Sequence, residues 1–128
     1  MALRDQLHVM VVDDMSTSRG LILQALDSFG LRNVQYAADG PSALAALAKQ
    51  PAHLVLSDYN MPGMDGLRLL HALRSDARMK SVGFILITGK ADRQIIEAGK
   101  KLGMNNFVKK PFAPKDLLSS IEAVVGRL

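Results

Sequence analysis

A doubly wound α/β sandwich is the fold class this sequence predicts. Three observations predict it. Five short apolar runs alternate with five segments of helical spacing. The stronger runs are apolar throughout, as strands covered on both faces of a parallel sheet must be. Several of them also stop abruptly at polar groups: Asp13-Asp14, Asp58, Thr88 and Lys109-Lys110.

Leu7 to Val12 is a Val-rich strand closed by Asp13-Asp14. Ser16 or Thr17 is expected to cap the helix that follows. Ile22, Leu26 and Phe29 recur along it, and Gly30 ends it. Asn33 to Ala37 is a weaker second strand. Gly40-Pro41 places proline at a helix start, where its missing N–H costs nothing. That helix, Ser42 to Gln50, carries Leu44 and Leu47 and is closed by Pro51. The third strand, Leu54 to Ser57, delivers Asp58. Asp65 is expected to cap a helix bearing Leu67, Leu70 and Leu73. Phe84 to Ile87 is a fourth strand, ended by Thr88. Ala91 to Leu102 is helical, with Ile95, Ala98 and Leu102 on one face and Gly103 as the stop. Asn106 to Lys109 is a short fifth strand. Pro114 opens a last helix striped by Leu117, Leu118, Ile121, Val124 and Val125. Crossovers between parallel strands must be right-handed.

The 128 residues are enough for one real core, and no linker or tandem repeat divides them. Residues 1–128 are therefore read as one domain, with no output domain attached. The absence of cysteine excludes disulfides and thiolate metal sites. Arg4, Asp5 and His8 break up the N-terminus, so no signal peptide is expected there, and no apolar run is long enough to span a bilayer. The expectation is a cytoplasmic protein without membrane contact. Its net charge of +4 is unevenly placed. Residues 1 to 89 hold eight Lys/Arg and eight Asp/Glu, whereas residues 90 to 128 hold eight and four. The basic last third alternates with acids and lacks aromatic platforms, so nucleic acid is not the expected partner.

Ligands of open parallel sheets bind beyond the carboxyl ends of the strands. Asp13-Asp14, Asp58, Thr88 and Lys109-Lys110 all fall at that edge. Clustered carboxylates need a counter-charge. A hard divalent cation such as Mg²⁺ is one answer for oxygen ligands, and a lysine ammonium is another. In such a set one carboxylate can serve as nucleophile toward a phosphoryl group while others hold the cation. No His or Cys occupies a matching strand end, so a hydrolase triad is poorly supported. His8, His53 and His71 are scattered. Gly89-Lys90 and Gly99-Lys100 are not set in a phosphate-binding loop. Lys109 and Lys110 are rivals, although alternation puts Lys109 on the side of Phe107.

In combination, Asp13-Asp14 with Ser16-Thr17, Asp58-Tyr59-Asn60-Met61-Pro62-Gly63-Met64-Asp65-Gly66, Thr88-Gly89 and Lys110-Pro111-Phe112 carry a resemblance over nearly the whole chain. The sequence resembles the receiver domains of two-component response regulators, in particular the single-domain, CheY-like chemotaxis type. The resemblance implies a flavodoxin-like five-stranded parallel sheet of order 2-1-3-4-5 flanked by five helices. It implies that Asp58 accepts a phosphoryl group from a histidine kinase. Asp14, Asp58 and the Asn60 carbonyl would bind Mg²⁺, with Asp13 acting through a water on the ion. Thr88 and Lys110 would bind phosphoryl oxygens, and the Lys110–Pro111 bond would be cis. Phe107 would report the movement of Thr88 on a face made of the fourth predicted helix, the fifth strand and the last helix. A tyrosine is frequent at that position in chemotaxis receivers, and Phe107 lacks its hydroxyl. Lys90 and Asn60 would flank the path of the hydrolytic water.

The implied function is a monomeric, phosphorylation-activated switch in chemotaxis and flagellar motor control. It is no dedicated enzyme, only a regulator with intrinsic autophosphorylation and autodephosphorylation. Its partners would be the kinase and a target such as a flagellar motor switch protein. The alternative with the same fold is a phosphate sink or phosphorelay intermediate. An aspartyl-phosphate phosphatase is less well supported, because those enzymes carry a general-acid Asp where this chain has Asn60. A DNA-binding role is weaker still, since the length leaves no room for a recognition-helix module.

Overall fold

The computed structural model describes residues 3–89 and 93–128. Within them the chain runs α1 (Leu3–Gln6), β1 (His8–Val12), α2 (Ser16–Ser28), β2 (Asn33–Ala37), α3 (Gly40–Lys49) and β3 (Leu54–Asp58). It continues through α4 (Gly66–Arg74), β4 (Gly83–Thr88), α5 (Arg93–Leu102), β5 (Asn106–Lys109) and α6 (Pro114–Val125). All five strands are parallel, in the order β2-β1-β3-β4-β5. This is the order that the family resemblance implies.

Side chains alternate across the sheet with period two, and that alternation builds two cores. Val9, Val11, Leu54, Leu56, Ile85, Ile87 and Val108 share one cluster with Ile22 and Leu26 of α2 and Leu117 and Ile121 of α6. Met10, Val12, Val55, Phe84 and Leu86 share the other with Ala43 and Leu47 of α3 and Leu69, Leu70 and Leu73 of α4. Phe107 and α5's Ile95, Ile96 and Leu102 pack against that second cluster. Each fully buried aliphatic side chain contributes ~1.5–3 kcal/mol. The central strands β1, β3 and β4 carry most of them, while β2 is an edge strand with exposed Tyr36.

Some local expectations need correction. Neither Ser16 nor Thr17 caps α2: both lie inside it, and its N-cap is Met15, which makes no side-chain cap bond. Asp13 organises this start instead, its Oδ1 accepting from Met15 N at 3.0 Å. In α3 the cap is Asp39, which accepts from Ser42 N at 2.7 Å. The short α1 adds a sixth helix to the five expected, because four residues are too few to show a helical repeat. Leu69 replaces Leu67 on the fully buried face of α4. The predicted helix start at Ala91 lies outside the described residues. Asp65 caps α4 as expected, accepting from Arg68 N at 2.9 Å. Gly30 ends α2 with φ +81°, its N–H reaching Asp27 and that of Leu31 reaching Leu26.

Away from the polar edge, Arg74 ties two loops together, those between α4 and β4 and between α5 and β5. It donates to the carbonyls of Lys80, Val82 and Gly103 and to Asn105 Oδ1. Its partners are neutral, and burial holds its guanidinium below the ordinary arginine value.

Gly66 is the tightest junction between α4 and the sheet. Its N–H donates to the Tyr59 carbonyl at 2.8 Å, and a Cβ there would lie 2.5 Å from the Asp58 carbonyl oxygen and 2.8 Å from Leu86 Cδ1. Gly20, exposed within α2, has nothing within 4 Å. Gly66→Ala is expected to lower unfolding stability by ~1–3 kcal/mol through overpacking. Gly20→Ala is expected to raise it by roughly 0.5–1 kcal/mol through reduced chain entropy. Urea unfolding of both variants checks the opposite signs.

Candidate functional site

Because every strand is parallel, β1, β3, β4 and β5 end at one edge, and register decides what meets there. Val12 pairs with Ser57, Asp58 with Ile87, and Thr88 with Lys109. Asp13 therefore follows directly beside the end of β3. Parity then separates the polar groups. Asp13, Asp58 and Lys110 continue the alternation of Val11, Leu56 and Val108, on the side of α2 and α6. Thr88 continues that of Phe84 and Leu86, on the side of Phe107.

The three groups on the α2 side meet. Lys110 Nζ lies 3.3 Å from Asp58 Oδ1 and 3.6 Å from Asp13 Oδ2. Its shortest contact is neither acid but Ser18 Oγ, at 2.8 Å. Lys109 is exposed. The strand's alternation thus brings Lys110, not its rival, to the acids. The Lys110–Pro111 peptide bond is cis.

Asp13 and Asp58 are buried and Asp14 is exposed. One carboxylate oxygen from each lies within 4.8 Å of the others. Burial, the largest influence, pushes the Asp58 carboxyl up from the ordinary aspartate value. Lys110 opposes this rise, the neighbouring Asp13 adds to it, and the Tyr59 N–H opposes it. Among the described residues, a single ammonium faces three acids. Asp13 Oδ2, though buried, has no hydrogen-bond partner. Three converging hard oxygen donors with an unsatisfied buried oxygen fit a small divalent cation.

Thr88 is buried at the end of β4. Its carbonyl accepts from Lys110 N at 2.8 Å, tying the two strand ends together. Phe107 is half-buried and pairs in register with Leu86, two residues before Thr88. Asn60 is exposed in the loop just beyond Asp58. Lys90 lies outside the described residues.

Residues 9–122 match the response regulator receiver domain family. The chain belongs to that family. A receiver is a signalling regulator switched by phosphorylation, with a histidine kinase upstream and a target downstream, rather than a turnover enzyme. One relative is a probable chemotaxis protein CheY of Rhizobium etli, 39% identical over 128 residues, covering 100% of this chain and 99% of the relative. The solved CheY4 of Vibrio cholerae superposes with a TM-score of 0.87 at 31% identity, covering 92% of this chain and 98% of its own. The receiver domain of a Pseudomonas aeruginosa sensor histidine kinase superposes with a TM-score of 0.85 at 26% identity, covering 94% and 98%. That structure holds a magnesium ion in its active-site cleft. Among the described residues of the present receiver, no helix is long and apolar enough to cross a membrane.

Sequence reasoning missed two contacts of the receiver's acid cluster. Ser18 holds Lys110 across 92 residues of chain, and Arg19 donates to the Asp13 carbonyl at 2.8 Å while lying 5.1 Å over the Tyr36 ring. No local pattern marks either, because both depend on where α2 packs.

With its pKa raised, Asp58 binds a proton more tightly in the folded than in the unfolded chain. The associated stability is present in full below the ordinary value of 3.8 and is lost as pH rises through the folded value. At pH 7 the ionised carboxylate is a net cost. In metal-free buffer Asp58→Asn is expected to raise Tm by a few degrees at pH 7, the gain vanishing toward pH 4. Saturating Mg²⁺ is expected to stabilise the wild type and to change Asp58→Asn much less. Calorimetry across pH, with and without the ion, checks both.

Proposed function

We propose that this receiver is a phosphorylation-controlled binding module of a chemotaxis pathway, with Asp58 as the phosphoacceptor. The observation that carries the reading is the meeting of Asp58 with Lys110 and the Asp13-Asp14 pair at the carboxyl edge of a parallel sheet. The chemotaxis proteins among its relatives support the pathway.

Ionised Asp58 attacks the phosphorus of a phosphohistidine. The new O–P bond forms as the donor's N–P bond breaks, and the imidazole nitrogen keeps the electron pair. Lys110 donates to one phosphoryl oxygen, and the Thr88 hydroxyl donates to another as it is drawn toward the phosphate. Asp14, Asp58 and the Asn60 carbonyl would hold Mg²⁺, with Asp13 assisting through a water. The ion supplies charge neutralisation for the phosphoryl oxygens when bound. The same groups support slow self-phosphorylation from small donors and slow self-dephosphorylation. Asn60 and Lys90 flank the hydrolytic water and set the phosphate lifetime.

The movement of Thr88 opens space on the side of the sheet that Phe107 occupies. Phe107, without a phenolic hydroxyl, responds by packing alone. The output face is α5, β5 and α6, which lie in the basic last third of the chain. A target there presents an acidic or amphipathic segment, a flagellar motor switch protein being the expected one. The receiver works in the cytoplasm beside its kinase and as a monomer.

A small acyl-phosphate donor with Mg²⁺ is expected to label the wild type and to leave Asp58→Asn unlabelled. Label persisting in that variant overturns the reading. Lys110→Ala is expected to lose about tenfold or more in labelling rate, as removal of a charge-assisted contact implies, while Lys109→Ala stays within about twofold. Target capture is expected to require the phosphorylated form and to weaken as salt is raised from low to physiological strength, by the screening of a basic face. Salt-insensitive capture contradicts the acidic-partner part of the proposal. Phosphorylation without any capture favours the phosphate sink.

A further inference from the structure

Among the described residues the Lys110 ammonium makes three polar contacts, and two of them are to the acid cluster that fits a divalent cation: Asp58 Oδ1 and Asp13 Oδ2. When a cation binds that cluster, it competes with the ammonium for the same carboxylates and repels it as a like charge. The third contact, Ser18 Oγ at 2.8 Å, is shorter than either and uncharged. We propose that Ser18 is a positioning residue: its hydroxyl anchors the Lys110 ammonium on the α2 side, so that lysine and divalent cation occupy the acid cluster together. The inference rests on the reading of Asp58 as phosphoacceptor.

The support is rigid where it needs to be. Ser18 lies in the first turn of α2, which is fastened to the sheet by buried Ile22, Ala25 and Leu26. Its neighbours Ser16 and Thr17 are exposed. Lysine is a flexible stem with three donors, so the direction of its ammonium is set by what accepts from it. Without the hydroxyl the ammonium has two courses. It leans on the acids and competes with the cation, or it swings out along its four-carbon stem. Either course leaves it misplaced for a phosphoryl oxygen.

Two experiments on the full chain test this. In the first, labelling by a small acyl-phosphate donor at saturating Mg²⁺ is timed in wild type, Ser18→Ala, Ser18→Thr, Lys110→Ala and the Ser18→Ala/Lys110→Ala double variant. Ser18→Ala is expected to be slower by about tenfold, the scale of a hydrogen bond to a charged group. Ser18→Thr, which keeps the hydroxyl, is expected to recover most of the loss. In the Lys110→Ala background the serine change is expected to cost nothing further, because Ser18 acts through the lysine. In the second, the ¹⁵Nζ resonance of Lys110 is followed by NMR as Mg²⁺ is added without any phosphodonor. It is expected to persist in wild type and to be lost in Ser18→Ala. A wild-type rate in Ser18→Ala, an equal loss in both backgrounds, or a resonance that persists in the variant overturns the proposal. Label on Asp58→Asn would sink the phosphoacceptor reading instead, while the metal titration still reports on Ser18 alone.

Discussion

Three carboxylates gathered around the Lys110 ammonium are the constraint on which this structure turns. A parallel sheet delivers Asp13, Asp58 and Lys110 to the same edge and the same side, and the burial of Asp13 and Asp58 denies them water. The imbalance is left unresolved by the protein: Asp13 Oδ2 is buried without a hydrogen bond, and Asp58 is held above its ordinary pKa. Such a site is stabilised by whatever brings positive charge, and a divalent cation does so. The charge imbalance of the resting cluster and the phosphoacceptor role proposed for it have a common origin.

The same alternation that gathers the acids keeps reception and output apart. Asp58 and Lys110 belong to the side of α2 and α6, whereas Thr88 and Phe107 belong to the side of α3, α4 and α5. The two halves touch through backbone, where the Lys110 N–H donates to the Thr88 carbonyl at 2.8 Å and the Tyr59 N–H to that of Ile87 at 3.2 Å. On the proposed reading, a change at Asp58 would reach the side of Thr88 and Phe107 across these adjacent strand ends. Gly66, packed against the Asp58 carbonyl, keeps α4 close to that same junction.

Much of this was readable in the sequence. Strands β2 and β5 fall within the bounds their residue patterns imply, and a parallel sheet needs no further information to bring Asp13, Asp58, Thr88 and Lys110 to one edge. What could not be read depends on packing across the chain. Ser18 looks like one more hydroxyl in a Ser-Thr-Ser run until α2 docks and sets it against Lys110, 92 residues away. The start of α2 differs from expectation for a related reason: Ser16 and Thr17 have the right chemistry to cap, but Asp13 already holds the Met15 N–H. Short α1 carries too few residues for any periodicity. Alternation already sets Lys109 apart from Lys110, and the register of β5 against β4 agrees, with Lys109 opposite Thr88 and Lys110 past the strand end at the acids.

The central claim is that Asp58 receives the phosphoryl group while Lys110 and Thr88 hold its oxygens. A crystal structure of the chain with Mg²⁺ and beryllofluoride, a stable stand-in for the phosphoryl group, tests it most directly. Beryllium bonded to an Asp58 carboxylate oxygen, with Lys110 Nζ and Thr88 Oγ1 each in contact with a fluorine, is the predicted result. Beryllofluoride on Asp13 or Asp14, or Lys109 in the place of Lys110, would contradict it.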